Sequence, residues 1–304
     1  MQYQQELFTP LNAPELAGEQ MGRESPGYWS DVWRSLKKNR LALSGILIII
    51  FLGIMAGIGP HLSGSAYDAQ NLSLANRPPG GGYWFGTDSL GRDLFSRVWI
   101  GARISLTIGL FTSFICFFIG VLYGSVSAFI GGRVDDIMMR IVEVFYGIPF
   151  MLYVIVMMMA LDTGLRAILI ALGMVYWLDM ARIVRGQVLS LKEQEFVLAA
   201  RTLGAGTWRI LTRHLIPNTM GPIIVTMTLL VPNAIFAEAF LSFLGLGVSA
   251  PMASWGSLAS DGIQGLRSYP WQLFFPAFFI SITMLAFNFL GDGLRDALDP
   301  RLRQ

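Results

Sequence analysis

The chain has 304 residues, of which 54% are apolar and only 14% charged, with a mean hydropathy of +0.55. A soluble domain carries roughly a quarter charged residues and could not hide this much apolar surface in one core, so lipid must be the solvent for much of the chain. A net charge of +2 argues against a nucleic-acid binder. The single cysteine, Cys116, excludes an internal disulfide or a cysteine-built metal cluster, and the two histidines, His61 and His214, are too far apart in sequence to suggest a metal site.

Residues 1–24 are polar and bear Pro, Gln and Glu, a composition expected to stay disordered. Tyr28, Trp29, Val32, Trp33 and Leu36 then recur at helical spacing before Lys37, Lys38 and Arg40. This predicts an interfacial helix with its rings at headgroup level and its basic tips toward phosphates. The chain thus divides into a cytoplasmic tail, 1–40, and a membrane domain, 41–304. Residues 41–59 are the first uncharged run long enough to span, and with no apolar stretch before it this span is expected to serve as an uncleaved anchor. Further spans are predicted at about 104–130, 137–160, 165–184, 219–244 and 273–291. The fold class is therefore an all-α polytopic membrane protein of six helices. With the N-terminus in the cytoplasm, 16 of the 22 Lys and Arg residues fall inside. The positive-inside rule then sets both termini inside.

The three lysines, Lys37, Lys38 and Lys192, never follow a glycine, so no nucleotide-binding P-loop exists in this chain. Gly245-Leu246-Gly247-Val248-Ser249-Ala250 fits a loose dinucleotide pattern but follows a membrane span instead of a strand. No nucleophile, base and orienting group suggest themselves, so no catalytic residue is assigned. Ionisable residues inside spans are functional candidates by default. Glu143 and Asp179 each stand three residues from an arginine, Arg140 and Arg182, and read first as local helix-face pairs. Glu238 has no cation in its span and fits either a solvated helix end or a contact at a pore mouth or subunit interface. Gly53/Gly57 and Gly120/Gly124/Ala128 read as close helix-packing positions.

The most informative stretch is 192–218, too polar to span and too patterned for an idle loop. Phe196, Ala199, Ala200 and Leu203 share one helical face, with Lys192, Glu193, Glu195 and Arg201 largely off it. Gly204 and Gly206 should end that helix, Thr207 should cap a second, and Pro217 should close it at the entry to the fifth span. Anchors at i, i+3, i+4 and i+7 suit insertion into a groove on another protein, and a plain interfacial helix fits the same pattern.

This segment resembles the cytoplasmic EAA loop of ABC-importer permeases, a pattern of E-A-A, three residues, Gly, nine residues and I-x-L-P. Ala199, Ala200, Gly204 and Pro217 match at the right spacing, whereas Leu198 stands where the acid belongs, and His214 and Ile216 replace Ile and Leu. The peptide/nickel branch departs in the same way, and Glu195-Phe196-Val197 and His214 through Asn218 match its form. Residues 85–106, 173–192, 238–247, 254–262 and 287–300 also resemble this branch, most closely its oligopeptide C-type permease, with dipeptide and nickel permeases as alternatives.

The resemblance implies a type I ABC-importer permease fold in the bacterial inner membrane. It implies a non-catalytic subunit that works with a homologous second permease, two cytoplasmic ATPases using ATP and Mg, an extracytoplasmic peptide-binding protein and a peptide substrate. Glu195, Phe196, Ala199, Ala200, Arg201, Leu203, Gly204, His214, Pro217 and Asn218 would form the ATPase-docking segment. The outer connection 245–272, with 60–103, would receive the binding protein. Glu238, Trp255 and Asp261 are the pathway or outer-mouth candidates, although 254–266 could instead be a re-entrant helix that only packs. The rival from another class is a self-sufficient channel or secondary carrier, which would need midplane ion sites and often repeated broken helices.

Overall fold

The computed structural model describes residues 27–161 and 164–298; the tail 1–24 lies outside them. An amphipathic helix, α1 (Tyr28–Lys38), buries Val32 and Leu36 and leaves Trp29 and Trp33 exposed, with Lys37 Nζ 5.1 Å from the Trp33 ring centroid. This is the two-faced geometry expected of an interfacial helix. Asn39 turns the chain and caps α2 (Arg40–Leu62), its side chain accepting from the amides of Leu41 and Ala42 at 3.1 Å.

Four further helices are long and apolar enough to span: α3 (Leu94–Ile130), α6 (Leu165–Leu191), α8 (Thr207–Phe243) and α10 (Trp271–Leu298). Between α3 and α6 lie α4 (Gly132–Gly147) and α5 (Phe150–Leu161), bent 83° from one another. Counted as one span, the pair brings the total to six. The unbroken third span expected at 137–160 is therefore corrected to a broken one. Pro149 cannot donate a helical hydrogen bond and biases Ile148 away from helical angles. Two shorter helices, α7 (Glu195–Thr202) and α9 (Trp255–Gln264), sit at opposite ends of the bundle. The described residues contain no strand, only isolated bridges between Gly80 and Tyr83 and between Thr87 and Asp93.

Small residues set the helix spacing. A Cβ on Gly120 would lie 2.6 Å from the Met180 side chain, and one on Gly124 would lie 2.2 Å from the Ala181 carbonyl, so α3 and α6 approach nearly backbone to backbone. Gly53 and Gly57 do not act this way, for a Cβ on either meets nothing within 4 Å. Gly57 instead offers its carbonyl to Arg103, as Ala56 does, at 3.1 and 3.0 Å. Arg97 and Arg103 lie within α3, which starts ten residues earlier than the 104 expected.

Candidate docking segment and the outer latch

Gln194 begins α7, whose first turn carries Glu195 near the positive end of the helix dipole. The helix ends as a Schellman motif. The Gly204 amide donates to the Arg201 carbonyl at 2.9 Å and the Ala205 amide to the Ala200 carbonyl at 3.0 Å. Gly204 has φ +79°, the left-handed geometry that glycine adopts without strain. Gly206 does not share it; at φ −69° it is the N-cap of α8, so Thr207 is the first helical residue and not the cap.

The two short helices expected before the fifth span are one element with that span. Residues 211–215 form a single π-helical turn that runs on into the long apolar part of α8. Pro217 offers no N–H there, and the Asn218 side chain donates to the His214 carbonyl at 2.5 Å. Pro217 and Asn218 thus shape the turn without ending the helix.

The four anchors do not share one environment. Phe196 and Ala199 are exposed and Leu203 is 87% exposed, whereas Ala200 is only 8% exposed and packs with Val197 on this chain's own core beside Val184, Val188, Ile210 and Leu211. Ala200 is corrected from an outward anchor to an inward one. Arg201 is held with its guanidinium 5.1 Å from the Phe129 ring centroid. Phe196, Ala199, Leu203, Arg209 and His214 line one shallow concavity together with Ala200, Gly204 and Ala205. The outcome is a short helix presenting a small apolar stripe beside two basic or polar side chains, a shape suited to a groove on another protein.

At the other end, α9 is fixed by a buried acid. Glu238 is fully buried, and its carboxyl accepts from Ser254 at 2.6 Å, Ser242 at 2.7 Å and Ser105 at 3.5 Å. Ser254 also caps α9 in a capping box with Ser257, and the Ser105 hydroxyl accepts the Trp255 amide at 3.1 Å. One side chain thereby ties α3, α8 and the N-terminus of α9 together. Glu238 is therefore corrected from a solvated helix end, or a contact at a pore mouth or subunit interface, to a buried acid whose carboxyl faces three hydroxyls inside the bundle. Trp255 is likewise a packing residue, fully buried with its indole donating to the Val98 carbonyl at 2.9 Å and its ring stacked 6.1 Å from Phe279. Within 254–266, α9 packs against α3, α8 and α10.

Asp261 stays exposed and lines a recess with Asn76, Asp88, Arg92, Tyr269 and Gln272. Although part of its side chain meets solvent, desolvation of its carboxyl in this recess pushes it up from its ordinary value, opposed by Arg97 and Arg92. Asp88 organises the loop before α3: its carboxylate accepts from Arg92 at 2.7 Å and lies 3.4 Å from Arg97 Nε.

Two ionisable pairs inside the spans resolve differently. Arg140 and Glu143 do pair at 2.7 Å, exposed on α4. Asp179 does not pair with Arg182; it accepts from the Tyr146 hydroxyl, and Arg182 stacks over the Tyr146 ring. Sequence reasoning missed the Asp135–Arg185 ion pair at 2.5 Å, which the Ser127 hydroxyl also supports at 2.5 Å. Its residues stand 50 apart in sequence, so no local spacing announces it.

The described residues thus form a bundle of apolar helices with the short α7 at one end and the packed α9 at the other. Residues 117–304 match the family described as binding-protein-dependent transport system inner membrane component, and 27–79 match the N-terminal membrane domain of oligopeptide transport permease C. The chain belongs to this family of inner-membrane transport components. It is 58% identical to the dipeptide transport system permease protein DppC of Bacillus subtilis, over 93% of this chain and 88% of that one. It is 53% identical to the oligopeptide permease OppC of the same organism, over 98% of both chains. With OppC of Escherichia coli K12 the identity is 45%, over 94% of this chain and 95% of that one. A chain of the MetNI methionine ABC transporter, solved facing inward, shares the fold at a TM-score of 0.54 and 18% identity, covering 66% of this chain and 97% of its own.

Proposed function

We propose that this chain is the pathway-forming permease of a peptide importer, driven by ATPases that dock on α7 and supplied by a binding protein on the outer face. The single observation that carries the reading is the pairing of α7, its exposed stripe of Phe196, Ala199 and Leu203 unmatched by this chain, with near full-length likeness to peptide permeases. Dipeptide and oligopeptide permeases of one organism match at similar identity, so the substrate class is peptide, and the choice of length belongs to the binding protein. ATP and Mg would be used by the partner ATPases, and a homologous permease would complete the pathway. Closure of the ATPase dimer would move α7, and with it α6 and α8, between inward- and outward-facing arrangements.

The secondary-carrier reading gains one feature, the broken third span, but no second broken span or internal repeat accompanies it among the described residues. Proteoliposomes discriminate the two. The chain alone should move no labelled peptide, and addition of the second permease, the ATPases and the loaded binding protein should give ATP-dependent uptake. Uptake by the chain alone would establish the carrier.

A further inference from the structure

The break in the third span lies level with an ionisable cluster that the docking segment does not use. Gly147, the last residue of α4, and Ile148 and Pro149, between α4 and α5, are exposed. The Tyr146 hydroxyl donates to Asp179, which stands one residue past the middle of the 27 residues of α6. Non-helical backbone and charge at this depth occur where protein encloses them or where they line a water-filled cavity. Here both are open on the chain's own surface.

The surrounding pattern is continuous. Asp179, Arg182, Gly186 and Ser190 form an exposed stripe along α6 at helical spacing. On α4, Val134, Ile137, Ile141 and Val144 make one face apolar, while Asp136, Arg140 and Glu143 make another polar. That polar face meets α6 across a recess lined by Asp136, Met139, Arg140, Glu143, Arg182 and Arg185. Arg140 is committed to Glu143 and Arg185 to Asp135. Arg182 is not: its guanidinium lies 4.0 Å over the Tyr146 ring, and no carboxylate among the described residues pairs with it. Stacking occupies the guanidinium face and leaves its N–H edge for a planar anion.

We propose that this recess is the cytoplasmic end of the peptide's path through the membrane and that Arg182 receives the peptide's terminal carboxylate there. The proposal rests on the reading of the chain as a peptide permease. Its test uses the complete reconstituted transporter in a Cys116→Ala background, with Ile183→Cys or Gly186→Cys labelled by a charged maleimide. A Cβ on Gly186 meets nothing within 4 Å, so that substitution leaves the packing intact. Leu122→Cys is the control, since Leu122 is exposed beside the apolar Phe118 and Ile119, and its neighbours Gly120 and Gly124 pack against Met180 and Ala181 at the level of Arg182.

Positions 183 and 186 should label while 122 stays silent. Silence at 183 and 186 in an active transporter would overturn the proposal, because lipid or a partner subunit then covers this face. In the second arm, Arg182→Gln should raise KM for a free-carboxylate peptide roughly tenfold, the scale of one lost charge-assisted bond, and leave its C-terminally amidated counterpart little changed. Arg182→Lys should retain most of the discrimination. Binding-protein affinity for both peptides is measured alongside and cannot depend on a change in this chain. Equal losses for the two peptides would sink the carboxylate assignment. A parent transporter that moves no peptide would instead refute the substrate reading, while the labelling pattern would still report whether the recess is open to water.

Discussion

Glu238 illustrates how one residue sets the position of a whole element. Its carboxyl collects hydroxyls from Ser105, Ser242 and Ser254, which come from three helices or their caps. Glu238→Ala removes the acceptor and leaves those hydroxyls buried, at a cost of roughly 2 to 4 kcal/mol. Glu238→Gln keeps one carbonyl acceptor and should lose less than half of that. The expected outcome for the alanine variant is a lower unfolding temperature and faster proteolysis within 245–272; an unchanged digest would remove Glu238 from the role of latch. Gly256 tests the same joint from the α9 side, because a Cβ there would lie 2.5 Å from the Ala239 Cα and 3.0 Å from Glu238 Oε1. Gly256→Ala should loosen α9 in the same digest by crowding both the helix contact and the acid. None of this was legible in the sequence, where Glu238 stands alone in an apolar run and two of its partners are 133 and 16 residues away.

At the scale of elements, α7 can be separated into what holds it and what it offers. Ala200→Asp places a charge among Val184, Val188 and Leu211 and should destabilise the chain by roughly 3 kcal/mol or more. Gly204→Pro removes the amide that closes the Schellman turn and the φ +79° conformation together. Both should reduce the amount of folded protein as well as transport. Leu203→Asp, at an exposed position, should leave thermal stability unchanged while weakening ATPase binding in a pull-down of the detergent-solubilised complex. Equal ATPase binding by Leu203→Asp and the parent would show that the stripe is not the docking surface.

The helical spacing of Phe196, Ala199, Ala200 and Leu203 was readable, and so was the turn at Gly204. The inward rotation of Ala200 was not, because α7 is packed by α3, α6 and α8, and periodicity gives a face without saying what covers it. The break at Gly147–Pro149 was hidden for another reason. Apolar residues flank it on both sides, so hydropathy alone reads straight through the bend.

For the whole molecule, the charge asymmetry and the helix order together fix what each face meets. A cysteine at position 90, in the loop braced by Asp88, should react with an impermeant reagent only from outside, and one at position 193 only from the cytoplasm. Reaction of both from one side would overturn the orientation. Alternating access adds a thermodynamic requirement. If the binding protein raises ATP hydrolysis by favouring the outward-facing state, a trapped nucleotide must raise binding-protein affinity by the same factor. Equal affinities with and without nucleotide would leave that coupling without a driving force.

If the ATPases dock on α7, ATP-driven peptide movement must pass through that helix. The most direct test is ATP-dependent peptide uptake by the full complex in proteoliposomes, comparing the parent with Leu203→Asp at matched amounts of folded, inserted protein. Uptake by the variant should fall at least tenfold, on the order of 1.4 kcal/mol of lost docking or coupling. Uptake by Leu203→Asp at the parent rate would contradict docking on α7.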